Sequence, residues 1–265
     1  MASDLAWSRT GAGPPLVLLH GGGPGCSAED DFAEVLADFA RVRTVVAVDL
    51  HQYGRSPSVR IAGPAVDHHA AAVEQLFDEL EITGADLVCQ SLGSLVALRL
   101  AARRPDLVRR LVLTGTQPVR GEPEDSRWDL GPRVRTELFG PGEVDLTRMR
   151  RLMAEAEWSD PTRIPDALVE RRLATALRHH AVVAGDDPTG RGTPRPLDDV
   201  LGAVRAPTLL LWGADDAFAT PAYARTLAGL LPAATVDVVP DAGHHVQSER
   251  PEPYRRAALD FLLSA

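Results

Sequence analysis

The chain has 265 residues and a formal net charge of −9, and its 28 basic residues are all Arg, with no Lys and no Asn anywhere. A P-loop needs its Lys and a Schiff-base enzyme needs a Lys amine, so both chemistries are excluded. The acidic balance argues against nucleic acid as a partner, and no apolar run approaches the ~20 residues of a membrane span.

Short Val- and Leu-rich runs, most bounded by Gly, Pro or Asp, predict buried parallel strands at 15–20, 44–49, 86–90, 111–115, 207–213 and 235–239. Apolar residues at helical spacing fall between or after them, at 31–39, 64–80, 92–103, 221–231 and 251–263. Alternating strands and helices imply a mostly parallel sheet with helices on both faces. The alternation breaks between Gln117 and Arg205, where no strand is evident and helical patterns cover 146–158 and 166–180. We read 118–204 as a helical cap inserted into a core of 1–117 and 205–265. Residues 185–196 are expected to be its mobile loop. The start lacks the basic and apolar regions of a signal peptide, and Cys26 and Cys89 are read as reduced thiols of a cytoplasmic protein.

Three segments carry nucleophile chemistry. Ser91 lies in Leu87-Val88-Cys89-Gln90-Ser91-Leu92-Gly93-Ser94, where a predicted strand ends and a helix begins. That is the context of a nucleophile elbow, G-x-S-x-G, with Cys89 in place of the first Gly. The strand before Gly213-Ala214-Asp215-Asp216 presents an acid, and Gly243-His244-His245 presents a base after the last strand. A Ser needs a base to take its proton, and a carboxylate to fix that base's tautomer and stabilise its cation. We take Ser91, Asp216 and His244 as the triad, with Asp215 and His245 as the rivals. Gly22, in His20-Gly21-Gly22-Gly23-Pro24-Gly25, and Leu92 are the candidate oxyanion donors. Phe218 and His245 are candidate substrate contacts. His68-His69 and His179-His180 are sequence neighbours that share no helical face, so they are read as surface residues. No metal and no cofactor is expected.

Together these residues resemble the α/β-hydrolase superfamily over nearly the whole chain, and within it the meta-cleavage-product (C–C bond) hydrolases. The glycine loop is similar to their oxyanion loop. The stretch from Leu146 through Trp158-Ser159-Asp160-Pro161 to Leu168-Val169-Glu170-Arg171-Arg172 is similar to their cap helices. The resemblance implies an α/β-hydrolase fold and places Arg172 on the cap Arg that binds a dienoate carboxylate. A salt bridge from Arg172 to Glu170 or Asp166 is the structural alternative.

The departures from the family are specific. The elbow reads Cys89-Gln90-Ser91 where the family is similar to G-N-S. The Trp that commonly follows the catalytic His is His245. The Pro-Gly after the strand ending at Asp49 is His51-Gln52. An Asn shortly after the glycine loop is Asp31. Ionised and ~4 Å from a substrate carboxylate, Asp31 would oppose binding by about 4 kcal/mol at an effective dielectric of ~20. As an alternative, Asp31 points outward and caps the helix at 31–39.

The expectation is a serine hydrolase acting on a small to medium, mostly apolar ester, lactone or related carbonyl compound. C–C hydrolysis of a vinylogous diketone is the first alternative. A proline-releasing aminopeptidase is the next, with Glu122, Glu124 and Asp125 available to hold an amine. A lyase, cyclase or ligand-binding receptor on the same scaffold stays open, as does a homodimeric assembly.

Overall fold

The structure is a computed structural model that describes residues 3–122, 124–140, 143–183 and 190–264. The described strands are β1 (Trp7–Gly11), β2 (Pro15–Leu19), β3 (Thr44–Val48), β4 (Ile61–Pro64), β5 (Ala85–Gln90), β6 (Val108–Thr114), β7 (Arg191–Thr193), β8 (Thr208–Gly213) and β9 (Ala234–Val239). Seven of them form one sheet in the order β1-β3-β2-β5-β6-β8-β9. Only β1 runs antiparallel to its neighbour.

The described helices are α1 (Ala28–Asp31), α2 (Ala33–Ala40), α3 (Ala65–Glu79), α4 (Leu92–Arg103), α5 (Leu130–Phe139), α6 (Leu146–Leu152), α7 (Asp166–Arg178), α8 (His180–Val183), α9 (Pro221–Leu230), α10 (Val246–Glu249) and α11 (Pro251–Leu263). A strand's side chains alternate between faces, so a sheet covered on both sides needs apolar residues at every position. Val17, Leu19, Leu87, Leu111, Leu113 and Trp212 point to one core, with Val73 and Phe77 of α3, Ala97 of α4 and Leu227 of α9. Leu16, Leu18, Val88, Val112 and Leu211 point to the other, with Phe39 of α2 and Tyr254 and Leu262 of α11. Each fully buried Leu contributes about 1.5–3 kcal/mol relative to exposure.

Between β6 and β8, α5, α6 and α7 pack around a separate cluster that includes Leu130, Val134, Leu138, Met149, Leu152 and Val169. Helix α6 runs on into a π-helical turn, Met153–Glu157, closed by Trp158 N–H donating to Met153 O at 3.0 Å. Such turns insert an extra residue and re-aim the side chains around them.

Several expectations are corrected. The segment 117–205 does contain a strand, because β7 pairs in parallel with β4. Three residues carrying a Gly leave too short a pattern to read. Of the expected mobile loop, residues 185–189 lie outside the described residues, whereas Arg191–Thr193 is this strand. Strand β1 is missed because it is an edge strand whose residues are mostly exposed and therefore polar. The helix expected over 31–39 is two helices, broken at Phe32 with φ −113° and ψ 12°. Ser27, not Asp31, caps the first of them, its Oγ accepting the Asp30 N–H at 3.2 Å. His69 and His179 are buried rather than on the surface. No helix among the described residues is long and apolar enough to cross a membrane.

Candidate active site

Ser91 sits between β5 and α4 at φ 45° and ψ −105°. A non-glycine residue in the left-handed region costs of order 1–3 kcal/mol and persists only where its surroundings fix it. Here the Ser91 N–H donates to Thr114 O at 2.8 Å, and Ser91 O accepts from the Ser94 and Leu95 amides. Gly93 makes the turn feasible: a Cβ there would lie 2.3 Å from Leu19 O. The Gly93 N–H donates instead to His20 O at 3.0 Å, joining the elbow to the end of β2. Leu92 is the first residue of α4, so its amide has no acceptor within the helix.

His20 orders the glycine loop. Its Nε2 accepts the Leu50 N–H at 2.9 Å, so the proton resides on Nδ1, which donates to Gly21 O at 2.7 Å. A trans peptide then leaves the Gly22 N–H on the face away from His20. The Gly22 carbonyl accepts from Tyr53 Oη at 3.1 Å and Arg135 Nη2 at 2.8 Å. Gly23 and Gly25 serve packing: a Cβ on Gly23 would meet Glu157 Oε1 at 2.6 Å, and one on Gly25 would meet Arg172 O at 2.0 Å.

His244 follows β9. Its Nδ1 lies 2.9 Å from Asp216 Oδ2 and 3.1 Å from Oδ1, while the Phe218 N–H donates to the same carboxylate at 2.8 Å. Asp215 is exposed and His245 does not touch Asp216, which distinguishes both rivals by geometry. The His244 amide donates to Glu157 O at 2.8 Å, and its carbonyl accepts from Gln90 Nε2 at 2.8 Å. Phe218 lies over the imidazole, with ring centroids 4.2 Å apart. Gly115, at φ 59°, leaves room for the ring, since a Cβ there would lie 2.6 Å from His244 Cε1. Burial lowers the His244 pKa, but the Asp216 carboxylate, by charge and hydrogen bond, and Glu157 and Asp31 beyond it, move it above its usual 6.5. Burial dominates at His245 and lowers it.

Ser91, Gly22, His244, His245, Phe218, Glu157 and Arg135 share the wall of one cavity of about 140 Å³. A larger cavity of about 470 Å³ lies beyond Gly22 and Arg135, which line both. Leu92 faces the larger one, with Tyr53, Val66, Leu95 and Trp128.

Two residues expected to bind substrate lie behind the cavity wall instead. Asp31 is buried, and its Oδ2 accepts the Gly21 N–H at 2.8 Å, so it braces the glycine loop from outside the cavity lining. It is neither an outward cap nor a cavity wall. Arg172 is also buried, and its partner is Glu157 rather than Glu170 or Asp166. Nη1 and Nη2 donate to the Glu157 carboxylate, and Nε and Nη2 donate to Pro24 O. Burial alone would raise the Glu157 carboxyl, but the charge and hydrogen bonds of Arg172, together with His245 and His244, outweigh it and hold it at about 2. His245 Nε2 completes the cluster 3.6 Å from Glu157. Glu157 therefore occupies Arg172 as a second carboxylate would. Glu122 and Glu124 are exposed, and Asp125 accepts from Thr220 Oγ1, so none of the three enters the cavity.

Three of the remaining histidines, His51, His68 and His69, lie together, with His69 in the wall of the larger cavity. His51 Nε2 donates to Asp4 Oδ1 at 2.7 Å, and His51 Nδ1 lies 2.8 Å from His68 Nε2. His69 brings a third ring nitrogen within 4.8 Å of the other two. A shared ion would have to break the His51–His68 hydrogen bond. Gln52 stands at φ 70°, in the left-handed region where the resembling family uses Gly. Its Nε2 bonds to Val59 O and Gly190 O, both at 2.7 Å, hold it there.

The Alpha/beta hydrolase family matches residues 16–257. The 2-hydroxymuconate semialdehyde hydrolase of Pseudomonas sp. (strain CF600) is 32% identical over 97% of this chain and 89% of its own length. A meta-cleavage product hydrolase from Pseudomonas fluorescens IP01 superposes with a TM-score of 0.82 at 21% identity, covering 98% of this chain and 95% of the other. A thermophilic esterase from Thermogutta terrifontis superposes with a TM-score of 0.77 at 25% identity, over 97% and 92%.

Proposed function

The chain belongs to the alpha/beta hydrolase family, and from that premise we propose that it is a serine hydrolase whose nucleophile is Ser91. The observation that carries this reading is the Asp216–His244 pair, bonded at 2.9 Å, whose His244 lines one cavity with a Ser held in a strained elbow. His244 Nε2 takes the Ser91 proton as Oγ adds to a substrate carbonyl, and Asp216 stabilises the imidazolium. The Gly22 and Leu92 amides receive the oxyanion, each such donor being worth roughly 10²–10³ in rate. Collapse breaks the scissile bond, His244 protonates the leaving group, and water, activated by the same His, releases the acyl group. The sequence uses no metal or cofactor at any step.

For the bond cleaved, the relatives favour a carbon–carbon bond beside a ketone, as in a vinylogous diketone. A second reading, ester or lactone hydrolysis, is favoured by one observation: Arg172, which would receive a dienoate carboxylate, is already taken by Glu157. Offering the purified enzyme a 2-hydroxy-6-oxo dienoate and p-nitrophenyl butyrate separates the two. The C–C reading expects a kcat/KM for the dienoate that exceeds the ester value by orders of magnitude. No dienoate turnover beside good ester turnover leaves the ester reading.

A further inference from the structure

We propose that the larger cavity is an anion site, and that the substrate is a carboxylate held there by Arg135 and Arg191 instead of by Arg172. This rests on the serine-hydrolase reading and names the substrate class of the same site.

The chain as a whole is acidic, yet no Asp or Glu among the described residues lines this cavity, whereas Arg135, Arg191 and Arg195 do. Arg195 is neutralised by Asp67 and Asp199, at 3.1 and 3.0 Å. The other two have no carboxylate partner among the described residues. Arg135 spends Nη2 on the Gly22 carbonyl, and its Nη1 is buried with no acceptor. Trp128 Nε1, on the same wall, is a second buried donor without an acceptor. A buried donor left unpaired costs about 1–3 kcal/mol, so such groups call for a ligand that supplies acceptors. His69, also in this wall, adds no charge, because burial pushes it down to about 3. Burial and the Arg135 charge also lower Arg191, the strain of two like charges in one wall. An anion between them relieves it.

Arg172 explains why the anion site lies here. Its guanidinium is buried and bonded to Glu157 and Pro24, and Gly23 is packed against both side chains. A substrate carboxylate on that side would meet the Glu157 charge first. On the other side of Gly22 it would meet two cations and apolar walls. Arg135 and Gly22 border both cavities, so an anion in the larger one keeps its carbonyl within reach of Ser91.

The test uses two alkyl fluorophosphonates of equal chain length, one ending in a methyl group and one in a carboxylate. Each bonds to Ser91 and releases fluoride, and the readout is the ratio of their second-order labelling rates. Any general slowing of Ser91 cancels in that ratio. Wild-type enzyme is expected to prefer the carboxylate probe by about tenfold or more, the effect of one charge-assisted hydrogen bond. Arg191→Gln should bring the ratio near one, and Arg191→Lys, checked for folding by its melting curve, should keep most of the preference. Equal rates in wild type, or a preference that survives Arg191→Gln, overturn the proposal. Failure of both probes to label Ser91 refutes the nucleophile reading instead.

Discussion

Replacing Glu157 by Gln keeps the shape of the side chain and removes the charge facing Arg172. Both partners are buried, with side-chain exposures of 3% for Glu157 and 2% for Arg172. Breaking one half of a buried pair leaves the other charge desolvated and costs about 3–5 kcal/mol. The depressed carboxyl implies the same scale: Glu157 brought from 4.5 to about 2 corresponds to about 3 kcal/mol. A depressed carboxylate contributes stability above its unfolded pKa and loses it as pH falls through the folded one. The wild type should therefore lose stability between pH 4.5 and about 2 in a way that Glu157→Gln does not. At about 2–4 °C per kcal/mol for a chain near this size, Glu157→Gln should melt about 6–20 °C lower at neutral pH. Urea unfolding followed by circular dichroism measures the same loss as a free energy. The double variant Glu157→Leu with Arg172→Met removes both charges and should recover most of it. A Glu157→Gln stability within about 1 kcal/mol of wild type refutes the claim that this carboxylate neutralises Arg172.

The acidic limb of the kcat/KM profile reports the free-enzyme His244, which must be neutral to act as base. Its midpoint should lie above pH 6.5, and Glu157→Gln should shift it to lower pH, because Glu157 is one of the charges raising it. Gly115→Ala places a methyl 2.6 Å from His244 Cε1 on a backbone at φ 59°, so kcat should fall by about a hundredfold while the circular dichroism spectrum is kept. Asp216→Asn should lower kcat by about 10⁴ with little change in KM, because the amide supports the wrong His244 tautomer. Steady-state kinetics with a chromogenic ester checks both variants.

How much of this was legible in the sequence follows from how local each signal is. Ser91, Asp216 and His244 each follow a Val- or Leu-rich strand, and parallel strands deliver their C-terminal ends to one edge. Glu157 was not legible because it lies near the end of a stretch, 146–158, whose spacing reads as an ordinary helix. The π-helical turn that swings it onto Arg172 leaves no pattern in the sequence. Arg135 and Arg191 come from α5 and β7, which meet only through the tertiary fold. Asp31 was legible as a departure but not as a direction, since the break at Phe32 decides which way it faces. Gly115 carried a signal that could have been read, a Gly directly after a strand at the edge where the triad assembles.

The mechanism stands or falls on Ser91. Turnover of a chromogenic ester by Ser91→Ala, measured against wild type at equal folded concentration, should show kcat lower by about 10⁴–10⁶. Near-wild-type turnover by that variant would contradict it.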